Sequence, residues 1–537
     1  MIAGIGAAAA GPLDQPRIVN IYNFIRNSDY RLANSEEILF ETTRKQIELI
    51  KPTGMPVTWA LQYDALINPK YQKLLKENAG PDDEIAVWWE IPRPLVEKAG
   101  LKWRGHDHEW DSTANVGFSP GYAPADRRKL VDVYMAEFKE VFGRYPATVG
   151  SWYLDEVTLA YMAEKYGIIA SCNCKDQIGT DGYTLWGGYW NQAYYPSKLN
   201  AYMPAQSREG QIDVPIFRML GSDPIYQYGR GHGISSLEPV YGQSGGSNKW
   251  VEWFFKNMTE QPSLAFAYTQ AGQENSFGWD AMKNGLTMQV KLLSEQSKAG
   301  KIKVMTLEDA GKWFKNKYPL TPPTSMAYLD DWKDEGRKSV WYNSRFFRAN
   351  FLWDEGGFYI RDIHRFDERV ESVTHDAALE TNTLAYTALP VMDQAHWSGP
   401  ATSGIFPVLL EKGSQTAPMV FEGEPIVTEL DPANLSIVQK LSGGGSLSII
   451  CSETSLAFAA EDSAGKPLDW AWEMRGGEGL RKAAGKITSE RISFKHGKTR
   501  YYVGTAPSMG GFVKLDTGGI LMKPNSKGHL ILVLGEI

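Results

Sequence analysis

Between residues 17 and 316, short apolar runs alternate with longer stretches whose apolar positions recur with helical spacing. The runs "RIVNIYNFI", "PVTWALQY", "DEIAVWWEI", "ATVGSWYL", "GIIASCNC", "VPIFRML", "PSLAFAYT" and "IKVMTL" read as strands. The stretches at 35–50, 125–141, 156–166, 248–259, 280–299 and 307–316 read as helices. Seven or eight β-α units in succession predict an α/β domain over residues 14–317, a (β/α)7-type barrel with a closed or nearly closed parallel sheet. The Pro-rich "NKYPLTPPTS" breaks this alternation and places a linker at 318–333. From 334 to 537, short β-rich runs such as "GFYIRDI", "SLSIICS" and "TRYYVGTA" are divided by Gly, Asn and Asp turns. They predict an antiparallel β-sandwich.

Composition narrows the partners. The chain has 537 residues, enough for two large cores, and its 56 basic and 63 acidic side chains give a formal net charge of -7. With no basic stripe in the linear sequence, nucleic acid is not expected as a partner. The 18 Trp and 26 Tyr fall partly in polar, Gly-rich stretches, which suits flat ligands such as sugars. Three cysteines, Cys172, Cys174 and Cys451, give no disulfide framework; "SCNC" reads as buried strand thiols rather than half a zinc site. Residues 1–13, with "MIAGIGAAAAG", read as the remnant of an export signal or a disordered end, so a secreted or periplasmic bacterial protein is expected. No apolar run reaches the roughly 18 residues of a membrane span.

In a parallel barrel the chemistry sits where the strands end, so the residues there are the candidates. Glu90 ends the third run, Asp155 and Glu156 follow the fourth, Asp223 a later one, and Glu274 lies in "QAGQENSFGW". Asp155 also fits the N-cap of a helix that closes on Gly167. Glycoside hydrolysis needs a carboxylic acid and a carboxylate facing one bond. Asp155 as nucleophile or base with Glu274 as acid is the first pairing, and Glu90 and Asp223 are the alternates. Trp89 and Trp152 would desolvate or stack, Gln273 would bond hydroxyl groups, and Trp279 would stack on a ring.

Three further strings need weighing. "RGHDHEWDS" offers His106, Asp107 and His108 for hydrogen bonding to sugar, with a divalent metal at His106 and His108 the less favoured use. "GQSGG" matches the nucleophile-elbow spacing without its strand-turn-helix context and reads as a loop. The long aromatic loop at 176–206, with Trp186 and Tyr189, is either a hydrophobic lid or a set of sugar-stacking platforms.

The order of "PVTWALQY", "DEIAVWWE", "YPATVGSWYLDEVTLAYMAEKYGI" and "KVMTLEDAGKWF" resembles the polysaccharide deacetylase superfamily and its relatives, the (β/α)7-barrel glycoside hydrolases, in a two-domain form from polysaccharide-degrading bacteria. The resemblance covers about 300 residues of layout and implies a barrel followed by a sandwich. It also implies, for the deacetylases, a metal held by an Asp after the first strand and a His pair after the third. Here Asn23 and Arg26 stand near the first position and Glu90 at the second, and the early His-x-Asp of the mannosidase-like relatives is missing too. No cofactor is therefore expected. The resulting expectation is a glycoside hydrolase acting on a poly- or oligosaccharide through two carboxylates; the alternatives are a metal-dependent carbohydrate esterase or deacetylase and a non-catalytic glycan-binding protein.

Overall fold

Seven short strands run parallel through the first half of the chain: β1 (Arg17–Ile25), β2 (Val57–Leu61), β3 (Glu84–Trp88), β4 (Thr148–Gly150), β5 (Ala170–Asn173), β6 (Ile216–Arg218) and β7 (Ala267–Ala271). This is a computed structural model that describes residues 15–180, 183–229, 234–411, 416–516 and 518–535; the expected signal remnant, 1–13, lies outside them. The strands are ordered β7-β1-β2-β3-β4-β5-β6. Among the described residues no ladder joins β6 to β7, so the barrel is nearly closed, and β6 instead pairs antiparallel with Ala193–Tyr194. The eighth expected run supplies only Lys303–Val304, which pairs with β1 at Ile18 and Val19.

All nine residues of β1 are buried, as a parallel strand covered on both faces requires. Alternation then sorts them. Tyr22 and Phe24 join Trp88, Cys172 and Tyr268 in one cluster inside the barrel, whereas Val19, Ile21 and Ile25 join the core beneath the outer helices. Phe24 stacks on Trp88 at 3.9 Å between ring centroids. In β4, a Cβ at Gly150 would lie 2.1 Å from the Tyr22 hydroxyl, so the barrel interior closes only around a glycine there.

Two large antiparallel sheets follow. One begins with Thr324–Tyr328, which pairs with Lys338–Asn343, so the expected linker at 318–333 contributes a fully buried strand to the second domain as soon as its prolines end. The sheets face each other through Phe358 against Phe421 and Phe458 against Trp472, with centroids 5.6 and 5.1 Å apart. No helix among the described residues is long and apolar enough to cross a membrane.

The aromatic loop lies between the domains. Trp190 stacks on Trp341 at 3.8 Å, and the Tyr189 hydroxyl donates to the Pro322 carbonyl at 2.9 Å. Beside it runs a buried charge network. Asp176, three residues past β5, accepts from Arg218 at 2.8 Å and pairs with Arg348 of the second domain. Arg348 in turn grips Asp362 with two bonds of 2.9 Å, and Asp362 meets His364 at 3.0 Å.

Candidate active site

Four neighbouring strand ends meet at one point. Arg26 directly follows β1, Gln62 follows β2, Glu90 lies two residues beyond β3 and Glu274 three beyond β7, and these strands are adjacent in the sheet. The Arg26 guanidinium donates from Nε and Nη2 to the two oxygens of Glu90, at 2.8 and 2.7 Å. Its third nitrogen, Nη1, lies 2.7 Å from Glu274 Oε2. One buried cation thus holds two carboxylates, with the fixed fork geometry that arginine supplies. The Gln62 side-chain amide donates a further hydrogen bond to Glu90.

The local sequence explains why Arg26 is so placed. The Asn275 side chain accepts from the Arg26 amide at 3.0 Å and donates to the Arg26 carbonyl at 2.8 Å, clamping the end of β1 to the loop after β7. Gly272, at φ +107°, lets that loop pass: a Cβ there would come within 2.4 Å of the Tyr22 carbonyl oxygen. From above, Trp110 covers the guanidinium at 4.3 Å.

Burial shapes the electrostatics. Glu274 keeps only 5% of its surface exposed. Desolvation pushes its carboxyl up to about 7; Arg26 pulls against that and the Glu90 charge adds to it. Around the pair, several amide groups carry buried atoms with no bonding partner: both side-chain polar atoms of Gln273, Asn23 Nδ2 and Gln62 Oε1. Unspent donors and acceptors at strand ends are what a hydroxyl-rich ligand uses.

The other expected residues go elsewhere. Asp155 caps the helix Glu156–Tyr166 through Thr158, and its oxygens are taken by Arg127 at 2.9 Å and Ser119 at 2.5 Å. The structure thus brings Glu90 together with Glu274 on Arg26, whereas Asp155 is held by Arg127. Asp223 is spent on the amides of Ile225 and Tyr226 and the indoles of Trp250 and Trp332. Glu156 accepts from the Ala201 amide and pairs with His375 at 3.0 Å, tying a second-domain loop to the barrel. Trp89 points into the helix layer against Tyr134, Trp152 packs edge-on against Phe24 and Trp88, and Trp279 is half-buried at the start of an outer helix. Trp186 donates to Asp393 at 3.0 Å in the domain interface, so it and Tyr189 form a packed seam rather than platforms.

The His106 side chain is 63% exposed, with Asp111 3.6 Å and the Tyr30 ring 6.0 Å away; Asp107 and His108 are exposed beside it. Among the described residues no group of three His, Cys, Asp or Glu side chains is arranged to hold a metal. The donor set at the strand ends does not fit one either, because a guanidinium already lies between the two carboxylates. Arg26 and Gln62 were not among the candidates drawn from the sequence. Collecting every polar residue at a strand end, and not only the acids, would have found them.

No protein-family model and no curated protein sequence matches the chain. Solved structures do. A glycoside hydrolase/deacetylase, as it is described, from Parabacteroides distasonis matches 71% of this chain and 90% of its own, at 16% identity and a TM-score of 0.50. A described polysaccharide deacetylase from Mycobacterium smegmatis matches 59% of this chain at 12% identity and a TM-score of 0.35. A family 4 carbohydrate esterase from Streptomyces lividans matches 55% at 5% identity and a TM-score of 0.24. The first of these likenesses shows the fold: a nearly closed barrel of parallel strands followed by antiparallel sheets.

Proposed function

We propose that this protein is a carbohydrate-active hydrolase whose reaction runs on Glu274 and Glu90 at the mouth of the barrel. The observation that carries the reading is the pair itself: two carboxylates on one buried Arg26, one of them shifted to about 7. A carboxyl group half-protonated at neutrality delivers a proton to a leaving oxygen and takes one back from water. Glu274 has that role. Glu90 accepts three bonds from Arg26 and Gln62, which leaves about one of its four acceptor positions unused. This arrangement supports glycosidic cleavage by two carboxylates.

A second reading has its own support. Ester hydrolysis needs a base near neutrality and a donor for the oxyanion, and Glu274 beside Arg26 supplies both. The Parabacteroides protein that shares the fold is described as a glycoside hydrolase/deacetylase. The two readings separate in one screen. Native and acetylated polysaccharides are incubated with the chain and with Glu274→Gln, while new reducing ends and free acetate are measured. Reducing ends that vanish in the variant support glycosidic cleavage, and acetate alone supports deacylation. Turnover equal in the variant removes Glu274 from the chemistry.

A further inference from the structure

The linear sequence shows no basic stripe, yet strand pairing builds one. In the second domain Arg491–His496 pairs with Thr499–Thr505 at the end of the eight-stranded sheet, and Ala484–Ile487 flanks them. Ile492, Phe494, Tyr501 and Val503 point inward and are buried, so the alternate residues point out. These are Arg491, Ser493 and Lys495 on one strand and Arg500 and Tyr502 on the next. With Lys482 and Lys486 they line a groove of about 400 Å³ in which no acidic residue takes part.

Lys495 stands directly opposite Arg500 in the ladder. Like charges in that position destabilise a sheet. Lys482 pairs with Glu478, but among the described residues Lys486, Arg491, Lys495 and Arg500 form no ion pair. In a chain with a net charge of -7 such a cluster is a local positive patch that attracts anions. Tyr502 is 42% exposed, with the Arg491 guanidinium 5.0 Å from its ring, and offers a flat face beside the charges.

We infer that this groove is a second binding site, for a polysaccharide strand that carries carboxylate or sulfate groups. Lys486, Lys495 and Arg500 meet its anions, and Tyr502 packs against a sugar ring. The groove volume lies within the roughly 300–1,000 Å³ typical of ligand sites. The choice of a sugar chain over another polyanion rests on the carbohydrate reading above. A long nucleic acid is disfavoured because the remainder of the surface repels it.

The test is calorimetric titration of the full chain bearing Glu274→Gln, so that turnover does not interfere. The probes are hexagalacturonate, a sulfated heparin hexasaccharide, uncharged cellohexaose and a single-stranded oligonucleotide. One of the two anionic sugars binds at least about tenfold more tightly than cellohexaose, and which one identifies the anion. Its affinity falls as salt rises. Lys495→Glu with Arg500→Glu removes the preference, and Tyr502→Ala, which leaves the charges in place, weakens binding severalfold. Failure of both anionic sugars to bind, equal binding of cellohexaose, tighter binding of the oligonucleotide, or unchanged affinity in the two sets of variants overturns the inference. A chain that binds the anionic sugar while the unsubstituted protein cleaves nothing overturns the hydrolase reading alone.

Discussion

Glu274 is a carboxyl group whose proposed role and observed environment are tied to the same two neighbours. Its pKa near 7 comes first from burial, with Glu90 raising it further and Arg26 lowering it. As a proton donor it must be protonated, so kcat/KM falls about tenfold per pH unit above 7. Glu274→Gln removes the proton and lowers kcat by about 10² to 10⁴. Glu90→Gln takes away a nearby negative charge, so the Glu274 carboxyl titrates at lower pH, read by NMR on the folded variant without need of turnover, and a titration that stays in place would refute the coupling. Half of this site was legible in the sequence. The strand-end rule found both glutamates, because an acid just after an apolar run needs only one-dimensional information. It missed Arg26, since the resemblance drew attention to what was absent at that position. It favoured Asp155 because a strand-end acid and a helix cap look alike until Arg127, 28 residues away, is seen to close on it.

The Glu156–Tyr166 helix shows what that cap does. Asp155 accepts from the Thr158 amide and hydroxyl, while Arg127 carries its charge and donates onward to the carbonyls of Thr374 and Ala377. One buried pair therefore starts a helix and fastens a second-domain loop to the barrel. Arg127→Ala strands the Asp155 charge and costs about 3–5 kcal/mol in chemical denaturation. Asp155→Asn keeps a capping oxygen and costs less, and if Glu274 and Glu90 carry the reaction, its kcat stays within a few-fold of the parent. Loss of all turnover in a folded Asp155→Asn protein would return Asp155 to the chemistry. The strands and helices themselves were readable from their periods, because parallel strands buried on both faces are largely apolar. The fate of the aromatic loop was not. Trp186, Tyr189 and Trp190 have the composition of sugar platforms, and only the second domain, laid against them by long-range pairing, turns them into an interface.

For the whole molecule, buried titrating groups fix where along the pH axis the fold is firmest. Asp64, Glu84 and Glu274 are all raised to about 7, chiefly by burial. Each retains its proton in the folded chain after the unfolded chain has lost it. Their stabilisation is complete below the ordinary carboxylate range and drains away as pH climbs to 7. His364 acts in the same sense: against its burial, Asp362 raises it, so its contribution fades as pH rises past its folded value. The opposing groups lie in the domain interface. Burial pushes Asp362 up, but Arg348 and His364 outweigh it and hold the carboxyl at about 2. That stabilisation is full above 3.8 and is lost as pH falls toward 2. The two limbs place maximum stability well on the acid side of neutrality, near about pH 4. Denaturant midpoints measured across the pH scale should trace that dome, and a midpoint that rises steadily to pH 8 would contradict it. Arg348→Met removes the chief partner of Asp362 and Asp176 together. In that variant the acid limb begins at higher pH, and the His364 contribution extends to higher pH because Arg348 no longer opposes its protonation, while the part carried by Asp64, Glu84 and Glu274 stays where it was.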